Sequence, residues 1–396
     1  MQSGFKNIQF IVGGQNTVER MQYVKPLPPF SDEVISFLNE LSKIVIRKGR
    51  TFSDVVTFGF WCRRAALLAE KEKYDDKKQR YGKGIVFHIA PSNVPVNFAF
   101  SFAVGLLAGN ANIVRLPSKD FEQVKVICDA INQLLAGDYS YMANYLCLVR
   151  YPVSKEVNDL FSALCSTRVI WGGDGTIAEI RESPLKPRAN EITFADRYSL
   201  AVIDSEAYLE ADDKDAIAQA FYNDTYFADQ NACTSPHLIV WLGEKKKEAK
   251  ELFWNKAHSY ANARYELAPV QAVGKLTALC KFSANRKAVF DHGSDNLIYR
   301  IAVDQIDEGL MDYRYNSGFF FEFDAESLKE IAPIAGERCQ TLTYYGIEVE
   351  KFKELLGDVR ILGIDRIVPM GKSMDFSLIW DGHDLIREMS RRIEIW

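Results

Sequence analysis

From residue 84 onward the chain repeats one pattern, a short β-rich apolar run followed by a stretch of helical periodicity. Residues 85–90 lead to 97–108, 112–116 to 120–135, 145–149 to 155–164, and 169–171 to 176–181. Near-continuous apolar strands joined by helices hide both faces only in a parallel sheet covered on its two sides, and such sheets bind ligands beyond the carboxyl ends of their strands. A second α/β unit starts at Ser199: strand 200–203, helix 213–222, polar loop 229–236 and strand 238–242. The β-rich runs 297–303 and 318–323 follow, then strand-like segments to Pro369, a last helix and a β-rich terminus. Residues 1–80 read as an opening strand pair and then helices dressing the first sheet, with Phe30-Ser31-Asp32-Glu33 resembling a capped helix start.

Composition removes several classes of function. At about 100 to 200 residues per domain, 396 residues suggest two or three domains. A net charge of −5 argues against a nucleic-acid partner. The densest basic run, Lys245 to Lys247, is interleaved with Glu244, Glu248 and Glu251 and reads as the solvated face of a helix. The most apolar window, 94–108, is shorter than the roughly 20 residues a spanning helix needs, so membrane insertion is not expected. Residues 1–13 lack a basic segment followed by a long apolar one, so the chain is expected to be cytoplasmic. The seven cysteines (62, 128, 147, 165, 233, 280 and 339) are scattered and never spaced C-x-x-C, which speaks against a disulfide framework and a metal site and for a reducing compartment.

Three segments could carry chemistry. Cys128, Cys147 and Cys165 lie in apolar runs, the inert setting for a thiol, whereas Cys233 lies among Gln230, Asn231, Thr234 and Ser235, polar groups able to stabilise a thiolate or a developing oxyanion. His237 could serve Cys233 as a base, although its place at the start of a strand favours a structural hydrogen bond. The second segment, Pro91-Ser92-Asn93-Val94-Pro95, follows a buried strand; it is an ordinary turn by composition, yet Asn93 could aim its amide into a cleft as an oxyanion donor. The third, Trp171-Gly172-Gly173-Asp174-Gly175, opens a helix after a strand, where glycines admit a pyrophosphate and the helix N-terminus offers N–H groups. It is not G-x-G-x-x-G, and Asp174 is unhelpful beside phosphate.

In order, the segments 84–95, 105–110 (Gly-Leu-Leu-Ala-Gly-Asn), 115–118 (Arg-Leu-Pro-Ser), 171–174, the Cys233 loop and 363–369 (Gly-Ile-Asp-Arg-Ile-Val-Pro) resemble the aldehyde dehydrogenase superfamily. Over nearly the whole chain the nearer likeness is to the LuxC-type acyl-CoA reductases, the fatty acid reductase component of bacterial bioluminescence. The resemblance implies an aldehyde dehydrogenase-like α/β fold, two parallel-sheet domains with the active site in the cleft between them. Residues 1–198, joined by a return segment 370–396, would bind cofactor, and residues 199–369 would be the catalytic domain carrying Cys233. It makes Cys233 the nucleophile, Asn93 the side-chain half of an oxyanion hole, and Ser92, Arg115, Ser118, Gly172 and Gly173 the cofactor contacts. Leu116 stands where the superfamily has its ribose-binding Lys, with Arg115 one position earlier, and Phe194 stands where the general base Glu belongs, with Glu191 and Asp196 nearby as misaligned substitutes.

A missing base suits a reductase, because an acyl thioester protected from water can wait for hydride. The expected reaction is NADPH-dependent reduction of an activated fatty acyl group, acyl-CoA first among donors, to an aldehyde through acyl-Cys233; NADH is the lesser choice of cofactor. An acyl-phosphate reductase, a hydrolytic aldehyde dehydrogenase and a non-catalytic binding protein on the same fold are the alternatives. The partners expected are the acyl donor and either further copies of the chain or an acyl-transferring protein.

Overall fold

The structure, a computed structural model, describes residue 5 and residues 7–396 except 93, 288, 292 and 294. The chain divides into two compact units, Met1–Ala195 with His383–Trp396, and Asp196–Gly382.

In the first unit, strand Ile85–Ile89 lies at the centre of a six-stranded sheet. Ala111–Arg115 and Leu146–Arg150 extend the sheet to one side, Thr167–Trp171 and Asn190–Phe194 to the other, all parallel. The order of strands therefore reverses at Ile85–Ile89, which opens a crevice at the carboxyl ends of the central strands. Of the opening strand pair suggested by the sequence, the described residues include strand Gln9–Val12, antiparallel to Leu146–Arg150 at the sheet edge, after which the chain turns into helix Gln15–Met21. Helix Asp32–Lys48 starts as the sequence suggests, although the Ser31 hydroxyl makes no capping bond. Asp32 and Glu33 in its first turn favour that terminus electrostatically.

Helix Asn97–Leu107 is apolar all round and buried over most of its length, as such a helix must be. Beneath it a polar chain crosses the core. His88 Nδ1 accepts from Ser101 Oγ at 2.7 Å, His88 Nε2 donates to Asn112 Oδ1 at 2.8 Å, and Trp171 Nε1 donates to Ser101 Oγ at 3.0 Å. Burial pushes the His88 imidazole down to about 4, so it is neutral at physiological pH. Gly105 is the close approach that permits this chain, since a Cβ there would overlap Asn112 Oδ1 and lie 3.0 Å from His88 Nε2. Gly105→Ala is expected to cost about 1 to 3 kcal/mol through overpacking, read as a lower urea midpoint with an unchanged slope. An unaltered midpoint would show that the network yields without cost.

The second unit holds a seven-stranded sheet in the order Val289–Asp291, Tyr299–Ala302, Phe319–Asp324, Pro236–Leu242, Tyr198–Asp204, Cys339–Tyr345 and Arg366–Pro369, parallel except for the first strand. Its two-residue period divides two apolar layers. Leu200, Val202, Leu238 and Val240 pack on one face, and Ala201, Ile203, Ile239 and Trp241 on the other. Each fully buried Leu, Ile or Val among them contributes about 1.5 to 3 kcal/mol.

Residues 370–382 belong to this second unit. Met370 is part of its core, and the backbone N–H groups of Gly371 and Ser373 donate to the buried Asp224 carboxylate at 2.6 and 2.9 Å. The chain crosses back only at His383.

Candidate active site

Cys233 sits just before strand Pro236–Leu242, at the amino ends of the parallel strands of its unit. Two residues with left-handed backbone, Asp229 and Gln230, begin the loop, and their side chains hold it in place. Gln230 is buried; its Oε1 accepts from Gly318 N (2.7 Å) and Phe319 N (3.1 Å), and its Nε2 donates to the Pro236 carbonyl at 3.1 Å. Asp229 accepts from the hydroxyls of Tyr265 and Ser317 and from Gln271 Nε2. Gly318, at φ +87°, lies so near the Leu297 carbonyl and the Tyr226 hydroxyl that no Cβ fits. At the other end, Ser199 Oγ donates to the Cys233 carbonyl at 2.7 Å and accepts from Thr341 N at 3.1 Å, tying the loop to the strand that begins at Cys339.

The thiol is half-buried. Burial pushes Cys233 up to about 11 and the Asp381 carboxylate adds to the rise, while the Gln340 amide, the residue's own backbone N–H and Arg197 pull it back. Cys128, Cys147, Cys165 and Cys339 are buried and pushed up to about 12, the inert state. Gln340 is fully buried as the second residue of strand Cys339–Tyr345, and its amide donates to Asp381 Oδ1. Arg197 donates to Asp365 Oδ2 (2.5 Å) and the Cys339 carbonyl (2.7 Å), with Asp381 at 4.0 Å. Arg366 lies over the Trp380 ring at 4.3 Å and donates to the carbonyls of Ser373 and Asp375.

The carboxylates named from the sequence as substitute bases are engaged elsewhere. Glu191 is clamped by Arg168 (2.5 Å) and Arg181 (2.7 Å), and Asp196 receives two bonds from Arg314 at 2.8 and 2.9 Å. The Phe194 ring stacks on Trp171 at 3.6 Å, so that position offers no carboxylate. His237 is buried and held down to about 3 by desolvation and Arg314. The structure instead assembles Asp381, Gln340, Arg197 and Ser199 around the cysteine, none of them singled out by sequence reasoning. The signal within reach was Asp365-Arg366, quoted as part of a motif but given no role.

In the first unit, Arg115 ends one central strand, Ser92 follows its neighbour, and Gly172 and Gly173 follow the next. Ser118 is exposed shortly after Arg115. All five therefore lie at the carboxyl rim where strand order reverses; Asn93 lies outside the described residues. Gly173 caps helix Asp174–Arg181 with no side-chain bond, and a Cβ on Gly173 or Gly175 would meet open space. Uncapped N–H groups under open space suit a pyrophosphate, and Arg115, over the Tyr151 ring at 4.6 Å, adds a cation. The Asp174 carboxylate works against an anion there. No group of three or more metal-ligating side chains occurs among the described residues, and no helix among them is long and apolar enough to cross a membrane.

The family model described as "Acyl-CoA reductase (LuxC)" matches residues 20–392. The chain belongs to the LuxC family. Among its relatives are the long-chain acyl-protein thioester reductases of Photorhabdus laumondii, 23% identical over 370 residues (90% of this chain, 72% of the relative), and Vibrio harveyi, 24% identical over 330 residues (79% and 64%). Similar solved structures include a lactaldehyde dehydrogenase, with a TM-score of 0.66 at 13% identity (95% of this chain, 88% of that one). Another is the Mycobacterium tuberculosis aldehyde dehydrogenase complexed with NAD+, at 0.65 and 11% (96% and 88%). The LuxC chain is thus an oxidoreductase-family member with the aldehyde dehydrogenase fold.

Proposed function

We propose that the protein reduces an activated fatty acyl group to an aldehyde, the acyl group passing through a thioester on Cys233. The observation that carries this reading is a half-exposed cysteine in a braced polar loop, in a LuxC-family chain that has Phe194 where a hydrolytic base would stand. The Cys233 sulfur attacks the acyl carbonyl, Asn93 and the Cys233 backbone N–H donate to the oxyanion, and the donor's leaving group departs. A reduced nicotinamide cofactor, when bound, supplies the hydride, and collapse of the thiohemiacetal on Cys233 then releases aldehyde. Unit 1 is the cofactor domain and unit 2 the acylation domain. Arg115 would meet the 2′-phosphate that distinguishes NADPH from NADH, Ser92 and Ser118 would line the adenosine side, and Gly172 and Gly173 would face the pyrophosphate. The family description points to acyl-CoA and the relatives' names to acyl-protein; both donors are thioesters and present the same carbonyl to Cys233.

The test is the intact mass of the protein after incubation with acyl-CoAs of several lengths and with an acyl phosphate. One acyl adduct, mapped to Cys233 and discharged as aldehyde when NADPH is added, is the expected result. Adduct from the phosphate alone would make the enzyme an acyl-phosphate reductase, and rapid oxidation of aldehyde to free acid without CoA would make it a hydrolytic dehydrogenase.

A further inference from the structure

The first sheet has a second concave feature, at the rim opposite Ser92, Arg115, Gly172 and Gly173. Three of the segments that meet there stand at the amino ends of parallel strands: Lys83 precedes Ile85–Ile89, Ser166 precedes Thr167–Trp171, and residues 186–189 lead into Asn190–Phe194. The fourth is the short strand Ser390–Arg392, which brings Arg391 alongside by pairing with Arg80–Gly82. Together they enclose a cavity of about 290 Å³ lined by Lys83, Ser166, Lys186, Arg188, Ala189 and Arg391. Four of these six residues are cations, and no carboxylate lines the cavity among the described residues.

The two lysines are placed by neutral oxygens rather than by opposite charges. Lys83 Nζ donates to the Glu388 carbonyl at 2.6 Å and to Asn190 Oδ1 at 2.9 Å, and Asn190 Oδ1 also accepts from the Thr167 hydroxyl at 2.8 Å. Lys186 Nζ donates to the Leu164 carbonyl at 2.7 Å. The Glu191 carboxylate is taken by Arg168 and Arg181, and that of Glu388 by His383 at 2.9 Å. Among the described residues, none of the four cations forms an ion pair. Arg188 and Arg391 are exposed, and Lys83 is half-buried with Arg80 adding positive field beside it. Cations gathered in a concave site without counter-charge repel one another and concentrate anions from solution. A phosphate dianion matches this set. Two guanidinium forks offer paired N–H donors, two ammonium groups add charge, and Ser166 supplies a hydroxyl.

We propose that this cavity binds a phosphomonoester, at a site separate from the residues that would meet the nicotinamide cofactor. Arg188 and Arg391 donate to its oxygens and Lys83 supplies the inner charge. A free phosphorylated metabolite and the 3′-phosphate of CoA present the same group, and the proposal does not depend on the role of Cys233.

The test is calorimetric titration of the full chain with inorganic phosphate in chloride buffer of constant ionic strength, so that general screening is the same at every point. Saturable binding is expected, weakened roughly tenfold or more in Arg188→Ser/Arg391→Ser by the loss of two charge-assisted donors. Arg115→Ser should bind phosphate as the wild type does. In chloride alone the double variant should keep or exceed the wild-type urea midpoint, because a repulsion is relieved, whereas phosphate should raise the midpoint of the wild type only. CoA and dephospho-CoA, which lacks the 3′-phosphate, distinguish the sources. A preference for CoA that disappears in the double variant identifies the CoA phosphate as the occupant; no preference, with phosphate binding still dependent on Arg188 and Arg391, identifies a free phosphomonoester. Either result upholds the site. Absence of saturable phosphate binding, an affinity in the double variant within about twofold of wild type, or binding lost in Arg115→Ser instead would overturn the proposal.

Discussion

Cys233→Ala is expected to abolish acyl transfer and aldehyde formation, a drop of roughly 10⁴-fold or more in turnover, while NADPH affinity changes by less than about twofold. The size of the effect follows from Cys233 being the covalent centre of the proposed reaction; Cys128, Cys147, Cys165 and Cys339 are buried and pushed up to about 12, and burial also raises Cys62. The fold should tolerate the change, because the loop is held by Asp229, Gln230 and Ser199, whose bonds avoid the Cys233 side chain. The residues proposed to meet the cofactor, Ser92, Arg115, Ser118, Gly172 and Gly173, belong to the other unit. The measurement pairs steady-state reduction of an acyl-CoA with fluorescence titration of NADPH. Turnover above a hundredth of wild type in the alanine variant would end the covalent reading, and lost cofactor binding would indicate damage to the fold.

Lowering the pH from 7 to 4.5 is expected to remove several kcal/mol of stability, most of it through two histidines. His88 titrates at about 4 and His237 at about 3 in the folded chain, both held down chiefly by burial, against 6.5 for an ordinary imidazole. Their folded values are depressed, so the unfolded chain binds these protons first. Stability is therefore fully present above about pH 6.5 and is lost as the pH falls toward 4, at about 1.4 kcal/mol per unit for each histidine. His88→Gln should cost about 1 to 3 kcal/mol at pH 7 by disturbing the bonds to Ser101 and Asn112, and it should remove about one proton from the acid slope. Urea melts from pH 7 to 4.5 measure both. A wild-type stability flat to pH 5, or a variant with the same acid slope, would show that His88 accepts its proton while folded.

Much of the architecture was legible because it is written locally. The apolar runs of the first sheet had to be strands, and their separation by helical stretches required parallel crossovers; the observed strands and helices lie within a few residues of the expected ones. The polar surroundings of Cys233 likewise set it apart from the cysteines in apolar runs, because burial is a property neighbouring residues already report. Local pattern failed where a residue's fate depends on distant partners. Strand Gln9–Val12 takes its place from a distant partner, the edge strand Leu146–Arg150, which the local pattern does not name.

The sequence by itself determined the class of fold, the family and the placement of the one cysteine in a polar loop, all features encoded in periodicity and in short motifs. The tertiary structure decided which charges that cysteine meets. Parallel strands far apart in the chain bring their amino ends together, so Ser199 and Thr341 meet the Cys233 loop, and Gln340 and Arg197 in turn meet Asp381 from a separate segment. Glu191 and Asp196, close in sequence to the expected base, are instead paired with arginines that only the folded chain brings alongside. A carboxylate's position along the chain says what it can do, whereas its partners, fixed by strand order and register, say what it is left to do.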